Sequence, residues 1–63
     1  MAITMKAART NAGYTQEAAA KALNITKSTL ASYEMGKTLP KINMVKAIAA
    51  LYECSVDDIK WVE

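Results

Sequence analysis

Residues 16–35 read QEAAAKALNITKSTLASYEM, and this stretch decides the fold. Thr15 stands just before it as an N-cap, because its hydroxyl can accept a bond from one of the unpaired first-turn N–H groups. Four alanines then give Gln16–Leu23 a high helix propensity, with Ala19, Ala20 and Leu23 on one face. Asn24 stops that helix, since asparagine tolerates the left-handed backbone region better than most side chains. Thr26 is a second N-cap, and Lys27–Met35 forms the next helix before Gly36 closes it. On this helix Leu30, Tyr33 and Glu34 share one face, while Lys27, Ser28, Ala31, Ser32 and Met35 share the other. The link Asn24–Ile25–Thr26 is so short that the two helices must cross at a steep angle, about 90–120°. The small Ala20 lets the second rod approach, and a β-branched residue at position 24 would strain the corner.

The same reading extends to both ends. Met5, Ala8 and Ala12 recur at i, i+3 and i+7, which predicts a first helix over 2–12 ending at Gly13. Pro40 bars any helix from crossing KTLPK. Ile42, Val45, Ile48, Ala49 and Tyr52 then give a helical period over 42–52. Its N-cap is unclear, Lys41 being a poor one, and Glu53 takes the place where a glycine is expected. Ser55-Val56-Asp57-Asp58 matches a Ser-x-x-acid capping pattern and predicts a short fifth helix through Ile59 to Trp61. Every loop is short, so successive helices pack on one another. The expected architecture is all-α: a single domain over 1–63 built as a compact five-helix bundle.

Composition excludes most chemistry. The 63 residues are about half of one typical domain, but 52% are hydrophobic, which is sufficient for one small core. One cysteine and no histidine leave no disulfide framework, no zinc site and no nucleophile–imidazole pair. No enzyme activity, metal, cofactor or small-molecule ligand is expected. No apolar run approaches the roughly 20 residues of a membrane span, and MAITMKAART lacks the order of a signal peptide. A free thiol fits a reducing cytoplasm. Charge is divided unevenly. Residues 1–46 carry seven basic and two acidic side chains, a net +5, and residues 47–63 carry one basic and four acidic, a net −3. One side of the molecule therefore suits an anionic partner.

Two short helices, a tight corner, a small residue at the crossing and apolar Ile25 and Leu30 turned inward have the spacing of a helix-turn-helix over 16–35. The stretch TQEAAAKALNITKSTLASYEMGKTLPKINMVKAIAALYECSVDDI resembles the phage repressor and Cro type of domain, the XRE family. The resemblance runs from Met5 to Ile59. It is carried by Thr15-Gln16-Glu17, Ala20, Asn24, Thr26, Leu30, Glu34-x-Gly36-Lys37, Pro40 and the ending Ser55-Val56-Asp57-Asp58-Ile59. It implies a lambda-repressor-like bundle whose third helix enters the major groove of double-stranded DNA. Carried over position by position, the base-facing residues are Thr26, Lys27, Ser28 and Ser32. Lysine can donate to guanine O6 or N7, serine specifies less sharply, and the small Ala31 can meet a thymine methyl. The bland alternative for this set is a solvated polar face.

Gln16, Lys37 and Lys41 are the phosphate-contacting candidates: Gln16 adds an amide donor at a helix start, and the lysines flank the loop after helix three. The resemblance pairs Arg9 with Glu34, a structural tie between helices one and three that suits a planar guanidinium. The alternative for Arg9 is a phosphate. Two departures matter: family members often carry asparagine where this chain has Met35, and the recognition helix is poor in arginine and long amides. Preference for sequence then rests partly on DNA shape.

Tyr14, Tyr33 and Tyr52 read as core or core-edge residues, Cys54 as a buried inert thiol, and Asp57 and Asp58 as favouring a helix start. Leu51, Trp61 and Val62 are apolar residues that one core does not need, which makes the C-terminal region a candidate homodimer interface; the alternative is that Trp61 folds back on helix one. The expected function is a sequence-specific transcriptional regulator, a repressor occupying an inverted-repeat operator as a dimer. It would stand alone like Cro or form the DNA-binding part of a longer repressor. The rival is a protein-interaction module on the same fold, of antitoxin or antirepressor type, working through its acidic C-terminal half.

Overall fold

The computed structural model describes residues 2–61. In chain order they form a two-residue strand β1 (Ile3–Thr4), helices α1 (Met5–Asn11), α2 (Gln16–Ala22), α3 (Lys27–Glu34) and α4 (Ile42–Leu51), a single 3-10 turn (Val56–Asp58), and a second short strand β2 (Ile59–Lys60).

Local chemistry sets each helix boundary. Thr4, Thr15 and Thr26 are extended residues whose hydroxyls accept from the N–H of Ala7, Ala18 and Thr29, at 3.0, 3.0 and 3.1 Å. Helix α4 starts on Lys41, which makes no side-chain cap bond. Its start follows Pro40 in sequence, and proline cannot be carried within a helix interior.

All four helices end in the same way. A left-handed residue follows the last turn: Gly13, Asn24, Gly36 and Glu53. In each case its N–H and that of the next residue reach back to carbonyls of the final turn, as Asn24 to Lys21 at 3.1 Å and Ile25 to Ala20 at 3.0 Å. These paired bonds are Schellman closures. Asn24 holds φ 60° and Glu53 holds φ 56°. Asparagine suits that region, whereas glutamate meets a steric penalty there.

The core is formed by Met5, Ala8, Ala19, Ala20, Leu30, Ile48, Ala49, Tyr52 and Ile59, contributed by every helix and by β2. Ala19 and Ala20 are both buried on α2, which packs on α3. A larger side chain at either position would have to displace its neighbours.

Two expectations are corrected. The described residues contain four α-helices rather than five, together with a strand pair. The predicted fifth helix is one 3-10 turn, in which the Ser55 N–H donates to the Asp58 carboxylate at 3.1 Å. Beyond it the burial alternates: Ile59 in, Lys60 out, Trp61 half in. That is the period of a strand, and β2 pairs in parallel with β1, Ile3 opposite Ile59 and Thr4 opposite Lys60. For the same reason α1 starts at Met5 instead of residue 2, because Ile3 and Thr4 are committed to the pair and Thr4 caps the helix.

Candidate nucleic-acid interface

Helix α3 is rooted by Leu30, which is 0% exposed. This root turns Thr26, Lys27 and Ser28 outward, and all three are exposed. Ser32, one turn beyond Ser28, is half-buried, as is Ala31. The predicted base-facing set therefore begins at an open helix start and ends at a partly covered position.

Thr26 has a second task. Its hydroxyl caps α3 and also lies 2.9 Å from the Thr29 hydroxyl. Two hydroxyls carry two protons, and their mutual bond uses one. The pair therefore keeps one donor for an outside acceptor. Thr29 was missed by the sequence reading, although Thr-x-x-Thr at a helix start is a variant of the capping-box spacing that signals such reciprocity.

Behind α3 lies a charged cluster. Arg9 Nε donates to Glu34 Oε2 at 2.8 Å, with Nη2 at 3.5 Å from Oε1, and Nη1 donates to the Tyr14 carbonyl at 3.0 Å. The two side chains are 11% and 5% exposed. Gln16 joins them, its amide nitrogen donating to Glu34 Oε1 at 3.1 Å. Three elements, α1, α2 and α3, meet on one carboxylate. Outside it lies a groove lined by Lys6, Arg9, Gln16, Ala31, Glu34 and Met35. Lys6 was not among the sequence candidates. The signal was there, because Lys6 precedes Arg9 by three residues and so shares its helix face.

Lys37 and Lys41 are exposed on either side of the loop after α3. In the same region Met35, Leu39 and Ile42 are 65%, 57% and 64% exposed. Leu51 is half-buried against the core, and so is Trp61, whose indole N–H donates to the Val56 carbonyl at 2.9 Å. Val62 lies outside the described residues.

Two titrating groups are displaced by their surroundings. The Tyr52 phenol is pushed up to about 12, by burial first and by the nearby Glu34 charge second, with Arg9 opposing. Its ring sits 6.1 Å from that of Tyr14, and its hydroxyl has no hydrogen-bond partner among the described residues. Burial, then Asp58, raises the Cys54 thiol, which makes it a poorer nucleophile. Among the described residues no three His, Cys, Asp or Glu side chains converge on a point where a metal could sit, and no helix is long and apolar enough to cross a membrane.

An exposed polar helix start, joined to a second short helix through the left-handed Asn24, is an arrangement that a DNA groove accepts. A family model described as helix-turn-helix matches residues 5–59. The chain belongs to the XRE-type helix-turn-helix family. One relative in this helix-turn-helix group is the "Uncharacterized HTH-type transcriptional regulator YgzD" of Bacillus subtilis (strain 168), 27% identical over 59 residues, covering 94% of this chain and 89% of the relative. No solved structure matches the chain significantly. The helix-turn-helix itself is α2, the Asn24 corner and α3.

Proposed function

We propose that this chain is a sequence-specific, double-stranded-DNA-binding transcriptional regulator in the cytoplasm. It is a repressor, and it occupies an inverted-repeat operator as a homodimer, with α3 in the major groove. The whole chain acts as one DNA-binding domain. The observation that carries this reading is the α3 start, where Thr26, Lys27 and Ser28 are exposed while Leu30 anchors the helix from behind. Lys27, Ser28 and Ser32 read base edges, together with the one proton left on the Thr26–Thr29 pair. Gln16, Lys37 and Lys41 hold phosphates. The dimer places two α3 helices about 34 Å apart, one turn of DNA, or at a multiple of that spacing.

Selection of bound duplexes from a random pool tests the reading, with an inverted repeat at that spacing as the expected product. Lys27→Ala then relaxes preference at one base position at a cost of about 1–3 kcal/mol. Lys37→Ala weakens every sequence alike and lowers the salt slope by about one. Equal losses from both on all operator variants would contradict the division of roles.

The exposed Leu39 and Ile42 favour a second reading, a protein-interaction module on the same fold. Absence of DNA affinity even at low salt would select it, because a DNA-binding surface of this charge binds non-specifically under those conditions.

A further inference from the structure

We propose that Glu34 is a positioning residue for DNA binding: it holds the Gln16 amide turned so that an N–H faces a DNA phosphate. This rests on the DNA-binding reading above.

The orientation follows from the partners. A carboxylate can only accept, so the nitrogen and not the oxygen of the Gln16 amide must face it. That is the contact present, Nε2 to Oε1 at 3.1 Å. A glutamine amide has two N–H protons, and Glu34 takes one. The other remains on a half-buried side chain at the rim of the groove bounded by Lys6, Ala31 and Met35. A phosphate oxygen also only accepts, and so it needs this same face of the amide. A glutamine free in solvent turns either face outward and loses rotamer freedom when it binds. Gln16 is already fixed.

Glu34 could do this harm as well as good, because a carboxylate near a phosphate repels it. Arg9 removes the conflict. Its guanidinium spans both carboxylate oxygens and is itself braced on the Tyr14 carbonyl. Glu34 therefore orients an amide without presenting a net negative charge. Lys6, exposed on the other rim, adds attraction from outside.

The test uses a mixed-sequence duplex of about two helical turns at low salt, with the full chain. Gln16→Ala is compared in two backgrounds, the natural chain and Arg9→Met/Glu34→Leu, in which both charges are removed together so that neither is left buried alone. In the natural chain Gln16→Ala weakens binding about tenfold with an unchanged salt slope, since a neutral amide releases no counterion. In the pair-free background the loss falls to about twofold, a coupling of about fivefold between positions 16 and 34. A purely structural role for Glu34 would lower both affinities and leave the Gln16 loss intact; equal losses in the two backgrounds overturn the proposal. If the pair-free variant does not fold, the Gln16 side-chain amide resonances of the natural chain decide. One proton displaced from its ordinary shift before DNA is added, with the second moving on titration, supports the proposal; both protons at the shifts of a solvent-exposed glutamine in the free protein overturn it. A natural chain with no affinity for the duplex overturns the DNA-binding reading and the positioning role with it. Binding by the natural chain with additive losses overturns the positioning role alone.

Discussion

Helices α3 and α4 are attached to the same core by different means. Helix α4 buries Ile48 and Ala49 and leans Met44 and Leu51 against the core, so area removed from water holds it. Helix α3 fully buries Leu30 alone. Its far end is held by the Glu34 carboxylate, which accepts from Arg9 and Gln16. Leu30 and the partly buried Tyr33 seat α3 on the core, and its exposed residues are confined to its start, Lys27 and Ser28, whereas those of α4 recur along its length at Ile42, Asn43, Lys46, Ala47 and Ala50. The contrast is one of placement: α3 offers an open polar end, and α4 an open side.

The largest effect should come from the charge that holds α3. Arg9→Met leaves the buried Glu34 without a countercharge, with only the neutral Gln16 amide still bonded to it, and chemical denaturation should record a loss of about 3–5 kcal/mol. Arg9→Met/Glu34→Leu should recover most of it. A loss of a few tenths would mean that α3, like α4, is held by burial alone.

Leu30→Ala and Ile48→Ala should each cost about 2–5 kcal/mol. The two should differ in where the structure loosens. Hydrogen exchange should rise first in α3 for Leu30→Ala, because no second fully buried side chain supports that helix, and more evenly across α4 for Ile48→Ala. Identical exchange patterns would erase the distinction.

The entry to α3 and the exit from α4 give a smaller pair of effects. Asn24→Val forces a β-branched residue into φ 60° and should cost about 1–2 kcal/mol, seen as a lower Tm. Glu53→Gly relieves the same strain at φ 56° and should gain about 0.5–1 kcal/mol. A stabilised Asn24→Val would mean that the corner is not what aims α3.

The smallest effect concerns Tyr52, the core residue after α4 that lies in the field of Glu34. Its hydroxyl is buried without a partner among the described residues, so Tyr52→Phe should change stability at neutral pH by no more than about 1 kcal/mol. The folded phenol titrates near 12 against 10.0 for the ordinary group. The folded state thus holds its proton more tightly. The resulting stability is complete below pH 10 and is lost as pH rises towards 12. Unfolding measured across that range should fall less steeply for Tyr52→Phe than for the natural chain.

Much of this arrangement is legible from neighbours in sequence. The Thr15 and Thr26 caps act on N–H groups three residues away, and the Asn24 and Glu53 closures act within one turn. The α2–α3 corner and the four main helices follow from such local signals. The C-terminal segment did not, because Ser55-Val56-Asp57-Asp58 closes its first turn in the same way whether a helix or a strand comes next. The choice went to the strand because β1 offered Ile59 a buried place beside Ile3. The candidate site divides along the same line. The exposed Lys27 and Ser28 are readable from helical period and Leu30, while the bond from Gln16 to Glu34 is not, since Gln16 alone looks like any first-turn residue.

The amino-acid sequence by itself determined where α1 to α4 stop, which threonines start α2 and α3, and which side of α3 is polar, because caps and periodicity are settled within a few residues. Only the tertiary structure decided that Gln16, 18 positions away, joins Arg9 on Glu34, that Ile3 meets Ile59, and that Trp61 turns back onto Val56. Those contacts join segments that no local rule relates, and they form because a buried carboxylate must be satisfied and a strand must find a partner.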